Sequence, residues 1–342
     1  MNEIVIRTKK PYRYVIADSF IGLSEEIAEV CGNAAIFAVY DKNTKKLFAK
    51  EIRDELCGFD VTEITVANGE AAKSFTSYKR LLEKLAEGGA DRSSVILAVG
   101  GGSVSDLAGF AAATYMRGIK YCVCPTTLLS MTDASVGGKT AVDLSFGKNL
   151  AGAFYSPSLV YANTSCLDFL PRREEESGMG EVVKYAFLND KITAEDILGE
   201  RENLIYKCVL FKSEIVRGDE FEKKPYGGRI ILNLGHTVGH SLEASSGYKL
   251  SHGLCVAYGI KRIIDLSADF YGLNKETVTR MNELLKVYPF DFSFEADMRD
   301  IKSRIIYDKK ISGDKIKFVM LKNVGEAAVE KIPLAEMWKI LK

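Results

Sequence analysis

Through the first 130 or so residues, short apolar runs alternate with helical patterns, and the alternation is abandoned after Pro171. Tyr12–Ile16, Ala35–Tyr40, Val61–Val66 and Ser94–Val99 have strand length and composition. Leu23–Cys31 and Ser74–Ala86 carry helical spacing, the second with Tyr78, Leu81, Leu82 and Leu85 on one stripe. Such a βαβα order predicts a parallel sheet with helices on both faces. Beyond Pro171 helical spacing dominates: Glu174–Phe187, Ala194–Val216, Ile230–Ala244, Cys255–Tyr271, Lys275–Leu285 and Ala296–Ile306. A single late strand, Ile316–Leu321, is expected. The predicted fold class is therefore an α/β N-terminal domain, residues 1–171, and a mostly α-helical C-terminal domain, residues 172–342.

Two stretches of the first half suit phosphate and other anions. Gly100-Gly101-Gly102-Ser103 follows a strand and leads to a helical run expected over Asp106–Ala113. Glycines let a backbone approach a pyrophosphate, and a helix start offers free N–H groups. The spacing is not GxGxxG, and a mere tight turn is the competing reading. Asp41 ends a strand, where an acid can bind ribose hydroxyls or simply cap a helix, and Asn43 fits either role. Gly69-Glu70-x-x-Lys73 can line the same crevice. Further on, Gly137-Gly138-Lys139-Thr140 and Gly147-Lys148-Asn149 put two lysines in glycine-rich loops, as an anion site or as solvated surface charge.

The second half holds all three histidines of the chain, His236, His240 and His252. His236 and His240 are one helical turn apart and share a face. Neutral imidazole is a common metal ligand, and two histidines with a carboxylate and an open position form a common catalytic zinc set. Glu181, in Gly178-Met-Gly180-Glu181, is the best carboxylate to complete it. Lys184 shares its helix face, and an exposed ion pair between the two is the alternative. Lys212, Arg229, Lys309 and Lys310 are further basic candidates.

Composition narrows the classes. Lys plus Arg equals Asp plus Glu at 46 each, so no global field draws nucleic acid or an anionic membrane. Seven scattered cysteines without a CxxC argue for reduced thiols and a cytoplasmic location. No apolar run approaches membrane-spanning length, and the N-terminus has no signal pattern.

Taken together the motifs resemble the 3-dehydroquinate synthase family of sugar-phosphate cyclases. The resemblance rests on Gly69-Glu70-x-x-Lys73, GGGSVSDLAGFAAATYMRGI from 100, PTTLLSMTDASVGGKTAVDLSFGKNLAGAFY from 125, SGMGEVVKY from 177, RIILNLGHTVGHSLE from 229, SHG from 251 and Asp308-Lys309-Lys310. It implies a Rossmann-like first domain, NAD, one divalent metal (Zn²⁺ or Co²⁺) and a homodimer. It implies that Glu181, His236 and His252 bind the metal, and that His240 supports them or touches substrate. Asp133, Lys139, Asn149, Lys184, Lys212, Arg229 and Asn233 match substrate-site positions, with Lys148, Lys309 and Lys310 beside them. Arg117 resembles an arginine lent across a dimer interface. Asp41, Asn43, Glu70, Lys73, Gly101, Gly102, Ser103, Asp106, Thr126 and Thr127 match NAD contacts.

The implied reaction takes a seven-carbon sugar acid phosphate. A ring hydroxyl is transiently oxidised by NAD, phosphate is eliminated, the hydride returns, and the ring opens and recloses as a carbocycle. Three departures stand out: Ala134 where a serine is usual, Phe169 where a threonine contacts the cofactor, and a longer run from Lys223 to Gly228. A sister cyclase, a metal-dependent polyol dehydrogenase and a non-catalytic NAD- or sugar-binding protein are the competing readings.

Overall fold

The computed structural model describes residues 2–306, 311–312 and 315–340. Contacts group Met1–Leu170 with Lys212–Arg217 as one compact unit, and Pro171–Phe211 with Gly218–Lys342 as a second.

The first unit is α/β. Its strands are β1 (Asn2–Ile6), β2 (Tyr12–Ala17), β3 (Ile36–Asp41), β4 (Val61–Val66), β5 (Val95–Gly100), β6 (Lys120–Pro125), β7 (Lys139–Leu144), β8 (Gly147–Phe154) and β9 (Leu159–Asn163). Helices α1 (Leu23–Cys31), α2 (Lys42–Glu55), α3 (Phe75–Glu87) and α4 (Gly102–Thr114) connect them. Seven strands form one sheet in the order β1-β2-β9-β6-β5-β3-β4, parallel except for the β1–β2 pair. Every residue of β5, Val95–Gly100, is buried, which requires cover on both faces of the sheet.

The chain steps from β3 to β4 on one side, then returns to lay β5 on the other side of β3. That reversal is a topological switch point, where open α/β sheets bind ligands beyond their strand ends. The strands that flank it end in Asp41 and Gly100.

The remaining pair, β7 and β8, is an antiparallel hairpin, with Lys139 opposite Phe154. Of the two glycine-rich stretches expected to be loops, Gly147-Lys148-Asn149 is strand, whereas Gly137-Gly138 stays outside it and leads into β7 at Lys139. Gly152 makes the pairing possible, because a Cβ there would overlap the backbone of β7.

The second unit is built on α5 (Arg172–Leu188), α6 (Ala194–Leu198), α7 (Arg201–Gly218, of which Lys212–Arg217 group with the first unit), α8 (His236–Ser245), α9 (His252–Tyr271), α10 (Lys275–Leu285), α11 (Met298–Ile306) and α12 (Leu334–Ile340). Ser177–Leu188 of α5 are buried without interruption, which makes it the central helix. One helix expected over Ala194–Val216 is two, α6 and α7, separated near Gly199.

The helix expected over Ile230–Ala244 is also broken. Gly228–Asn233 forms a 3₁₀ segment, and Gly235, at φ 76°, starts α8 afresh. Its apolar spacing runs on through the break, so periodicity alone could not show it. The expected late strand is β11 (Lys315–Asn323), flanked by β10 (Ile311–Ser312) and by an unexpected partner, β12 (Glu326–Pro333).

Candidate active site

Close backbone approach assembles the second unit's site. A Cβ on Gly180 of α5 would overlap Gly253 at the start of α9, so only glycine lets these helices touch there. The contact lays Glu181 beside His252. A Cβ on Gly239 of α8 would fall 2.8 Å from the Cys255 carbonyl, and one on Gly235 would fall 2.6 Å from that of Val256. Those contacts press α8 onto α9 and bring His236 and His240 to the same place. The imidazole donor atoms of His236, His240 and His252 all lie within 4.8 Å of one another.

Glu181 is at the centre. Its side chain is 1% exposed, and one oxygen pairs with the equally buried Lys184. The exposed ion pair weighed from the sequence is thus a buried one. The other oxygen, Oε1, is buried and accepts no hydrogen bond. It faces His236 Nε2 at 3.4 Å and His252 Nε2 at 3.3 Å. Buried polar atoms are almost always partnered, so an orphaned carboxylate oxygen aimed at two imidazole nitrogens calls for a ligand. A divalent cation fits this donor set.

The electrostatics agree. Burial works against a charge on Glu181, but Lys184 and the two imidazoles hold the carboxyl well below its ordinary range. Burial holds His236 well below the ordinary imidazole range, so its lone pair is available. Burial also opposes a charge on His252, yet the flanking Glu181 and Glu243 carboxylates outweigh it and raise that imidazole to about 9. Two carboxylates that stabilise an imidazolium would stabilise another cation in its place.

Arg229 and Asn233 lie just before α8. Arg229 is 3% exposed. Its backbone N–H donates to Asp219 Oδ2 at 3.1 Å and its Nη1 to the Glu220 carbonyl at 2.9 Å. Asp219 also accepts the N–H groups of Lys223 at 2.8 Å and Lys224 at 3.3 Å, so one carboxylate closes the unusually long run before Arg229. Burial opposes the Asp219 charge, and these backbone bonds prevail and lower its pKa. Sequence reasoning passed over Asp219, although an acid between a helical run and a Gly-Gly pair was the available signal. Asn233 donates to the Ile230 carbonyl at 3.2 Å. Lys309 and Lys310, with Asp308, lie outside the described residues.

In the first unit the glycine turn opens α4 as expected, four residues earlier than the sequence suggested. Gly101 is the cap and has no side chain over the first N–H groups. A Cβ on it would meet Thr127 at 3.1 Å, and Thr126 N–H donates to the Gly100 carbonyl at 3.0 Å, so both threonines lie against the turn. Ala134 approaches from the same side, 3.4 Å from where a Cβ on Gly102 would fall.

Across the switch point Asp41 caps α2. Its Oδ1 accepts the N–H groups of Asn43 and Thr44, each at 2.8 Å. The capping role weighed from the sequence is present, and it engages a single carboxylate oxygen. Phe169 is 59% exposed and packs edge-on against Phe48 of α2.

A charge network ties the turn to the hairpin. Lys73, 5% exposed, donates to Asp106 at 2.7 Å and to the Asn149 side chain. Ser103 donates to Glu70 at 3.2 Å, and Lys148 pairs with the same Glu70 at 3.4 Å. Burial raises Asp106 above the usual carboxylate range despite Lys73. Asn149 sits in the left-handed region at φ 57°, held by its N–H to Asp143 at 2.7 Å.

Asp133 lies in a π-helical turn, Ser130–Ala134, a distortion frequent at functional sites. Lys212 donates to its side chain at 2.5 Å and its carbonyl at 2.6 Å. Lys139 is exposed at the start of β7. Arg117 is exposed in a turn where Met116 (φ 48°), Arg117 (φ 70°) and Gly118 (φ 120°) are all left-handed.

A parallel α/β unit with a glycine turn at its switch point, joined to a helical unit with this carboxylate–histidine cluster, defines the dehydroquinate synthase-like class of folds. A 2-deoxy-scyllo-inosose synthase complexed with carbaglucose-6-phosphate, NAD⁺ and Co²⁺ superposes with a TM-score of 0.91 at 23% identity, over 99% of each chain. The 2-epi-5-epi-valiolone synthase of Streptomyces hygroscopicus subsp. jinggangensis 5008, with NAD⁺ and Zn²⁺ bound, gives 0.83 at 20% identity over 96% of this chain and 95% of that one.

Residues 63–177 match the family model for the 3-dehydroquinate synthase N-terminal region, and residues 178–311 that for its C-terminal region. The 3-dehydroquinate synthase of Endomicrobium trichonymphae is 38% identical over 341 residues, covering 96% of this chain and 94% of that protein. That of Clostridium acetobutylicum is 36% identical over 338 residues, covering 94% and 93%. The chain belongs to the 3-dehydroquinate synthase family.

Proposed function

We propose that this enzyme converts 3-deoxy-D-arabino-heptulosonate 7-phosphate to 3-dehydroquinate and phosphate, a carbon–oxygen lyase step in the shikimate pathway of aromatic amino acid biosynthesis. The observation that carries the reading is Glu181 Oε1, buried, unbonded and facing the Nε2 atoms of His236 and His252. These three residues would hold one Zn²⁺ or Co²⁺. Asp41, Asn43, Glu70, Lys73, Gly101, Gly102, Ser103, Asp106, Thr126 and Thr127 would hold NAD. When bound, NAD accepts and returns a hydride, and the metal lowers the pKa of the substrate hydroxyl.

The chain's own residues do the rest. Gly101 leaves the start of α4 open to a pyrophosphate, which its N–H groups attract. Asp41 keeps one carboxylate oxygen for ribose hydroxyls while the other caps α2. Arg229, fixed by Asp219 and Glu220, offers a preset fork to a carboxylate or phosphate. Lys139, Lys148 and Lys212 add positive charge for the doubly anionic substrate, with Lys309 and Lys310 joining them on the family pattern alone. Asn149 and Asn233 orient the reacting hydroxyls by hydrogen bonds, and Lys184, His240 and Asp133 orient them and move protons at them.

A homodimer is part of this proposal. The Arg117 side chain makes no hydrogen bond or ion pair with the described residues, and strain persists in a backbone where function needs it. Leu144, Phe146, Leu150 and Phe154 expose an apolar face on or beside the β7–β8 hairpin, which a second copy would cover. The proposal also includes a cytoplasmic location, supported by seven free thiols. Among the described residues no helix is long and apolar enough to cross a membrane.

The test is an assay with the seven-carbon acid phosphate, catalytic NAD and Zn²⁺. One phosphate per carbocyclic product is expected, without accumulation of NADH. NADH formed in proportion to glycerol or a simple alcohol, with no phosphate release, would overturn the reading in favour of a polyol dehydrogenase.

A further inference from the structure

The two candidate metal-binding imidazoles are anchored differently. Nδ1 of His236 lies 3.0 Å from the Leu234 carbonyl, and Nδ1 of His252 lies 3.1 Å from Glu243 Oε2. A carbonyl oxygen can only accept, and so can an ionised carboxylate, so each Nδ1 must carry the hydrogen. In the neutral ring the lone pair then falls on Nε2, the nitrogen that faces Glu181 Oε1 in both residues. Leu234 does this with a backbone carbonyl, in a residue whose own N–H is tied to the Ile231 carbonyl at 3.1 Å. Glu243 does it with a side chain from the far end of α8, where it is 8% exposed. His252 needs such an anchor more than His236 does. It opens α9, and its side chain is 28% exposed against 12% for His236.

We propose that Glu243 is a positioning residue for the metal site. It fixes His252 as the Nδ1–H tautomer, turns Nε2 toward Glu181, and supplies a second negative charge behind the ligand. The proposal rests on the reading that His252 binds a divalent metal, and it assigns Glu243 a role that helix spacing and ligand chemistry do not reveal. Partners of this kind typically contribute about 10–100-fold to metal affinity.

The test uses the full chain and Zn²⁺ alone. Dissociation constants are measured by competition with a chromophoric chelator for the wild type, Glu243→Gln and Glu243→Leu. Gln keeps an acceptor of the same shape without the charge, and Leu keeps comparable volume without an acceptor. Binding should weaken by about 10–100-fold in Glu243→Leu and by clearly less in Glu243→Gln. Packing alone would make the two variants alike. With only three histidines in the chain, ¹⁵N-histidine labelling gives six ring nitrogens to read. The zinc-loaded wild type and Glu243→Gln should both show a protonated Nδ1 on His252. Equal dissociation constants in all three proteins, or equal losses in the two variants, would overturn the proposal. Failure of the wild type to bind Zn²⁺ would instead sink the metal reading beneath it.

Discussion

The two units treat their charges in opposite ways. In the first, the candidate binding residues mostly satisfy one another: Lys73 with Asp106 and Asn149, Lys148 with Glu70, Lys212 with Asp133. In the second, a buried carboxylate is left half satisfied, its open oxygen facing two imidazoles. A closed network holds its shape before any ligand arrives, whereas an open one is stabilised by what binds to it. The first arrangement suits a nucleotide cradle, and the second suits an ion whose binding energy can add to folding energy.

The largest expected effect breaks the open site. Glu181→Ala should lose bound metal and reduce turnover by on the order of 10³ or more, since a metal supplies several kcal/mol of transition-state charge stabilisation. Elemental analysis of the purified variant checks it, and full metal occupancy would remove Glu181 from the ligand set.

Next comes the separation between the units. Chelation should lower hydrogen-exchange protection in α5, α8 and α9 while leaving β5 and the start of α4 unchanged, and added NAD should do the reverse. Zinc at a thousand times its dissociation constant would stabilise the second unit by about 4 kcal/mol. Equal changes in both units would show that the two do not differ in how they depend on their ligands.

Lys139→Ala probes a charge exposed at the edge of the closed network. It should lower turnover by on the order of 10²–10³, the usual cost of one charged hydrogen bond in a transition state, with little change in NAD affinity. A parallel fall in NAD binding would reassign Lys139 to the cofactor.

The smallest effect concerns Lys148 and Glu70, whose side chains are 37% and 43% exposed. Such pairs contribute little, so Lys148→Ala should shift unfolding free energy by no more than about 0.5 kcal/mol. A chemical denaturation curve decides, and a loss above 2 kcal/mol would show the network to be far more cooperative than its exposure implies.

Strand-length apolar runs made the parallel sheet legible, because β3 and β5 are buried on both faces and tolerate few polar residues. The β7–β8 hairpin was not legible. Gly147–Phe154 is rich in glycine and alanine and largely exposed, so its strand form comes from pairing with β7 rather than from its own composition. Histidine spacing marked the candidate metal site, but spacing cannot report distance across helices. Glu243 lay in the same motif and showed no role until its contact with His252 was seen. Asp219 and Asp143 escaped for a similar reason, since each acts through backbone N–H groups that every residue has.

A helix buried all round has consequences for timing. Ser177–Leu188 offer no solvent-facing side along which α5 could open on its own. Local opening is cheapest where burial is least, and among the three candidate ligands that is His252, in the first turn of α9. An ion held here should therefore exchange at the rate at which that one turn frays, far faster than the protein unfolds. The half-time of isotopic zinc exchange would then be set at Ser251, whose hydroxyl caps α9 and donates to Glu176 at 2.7 Å.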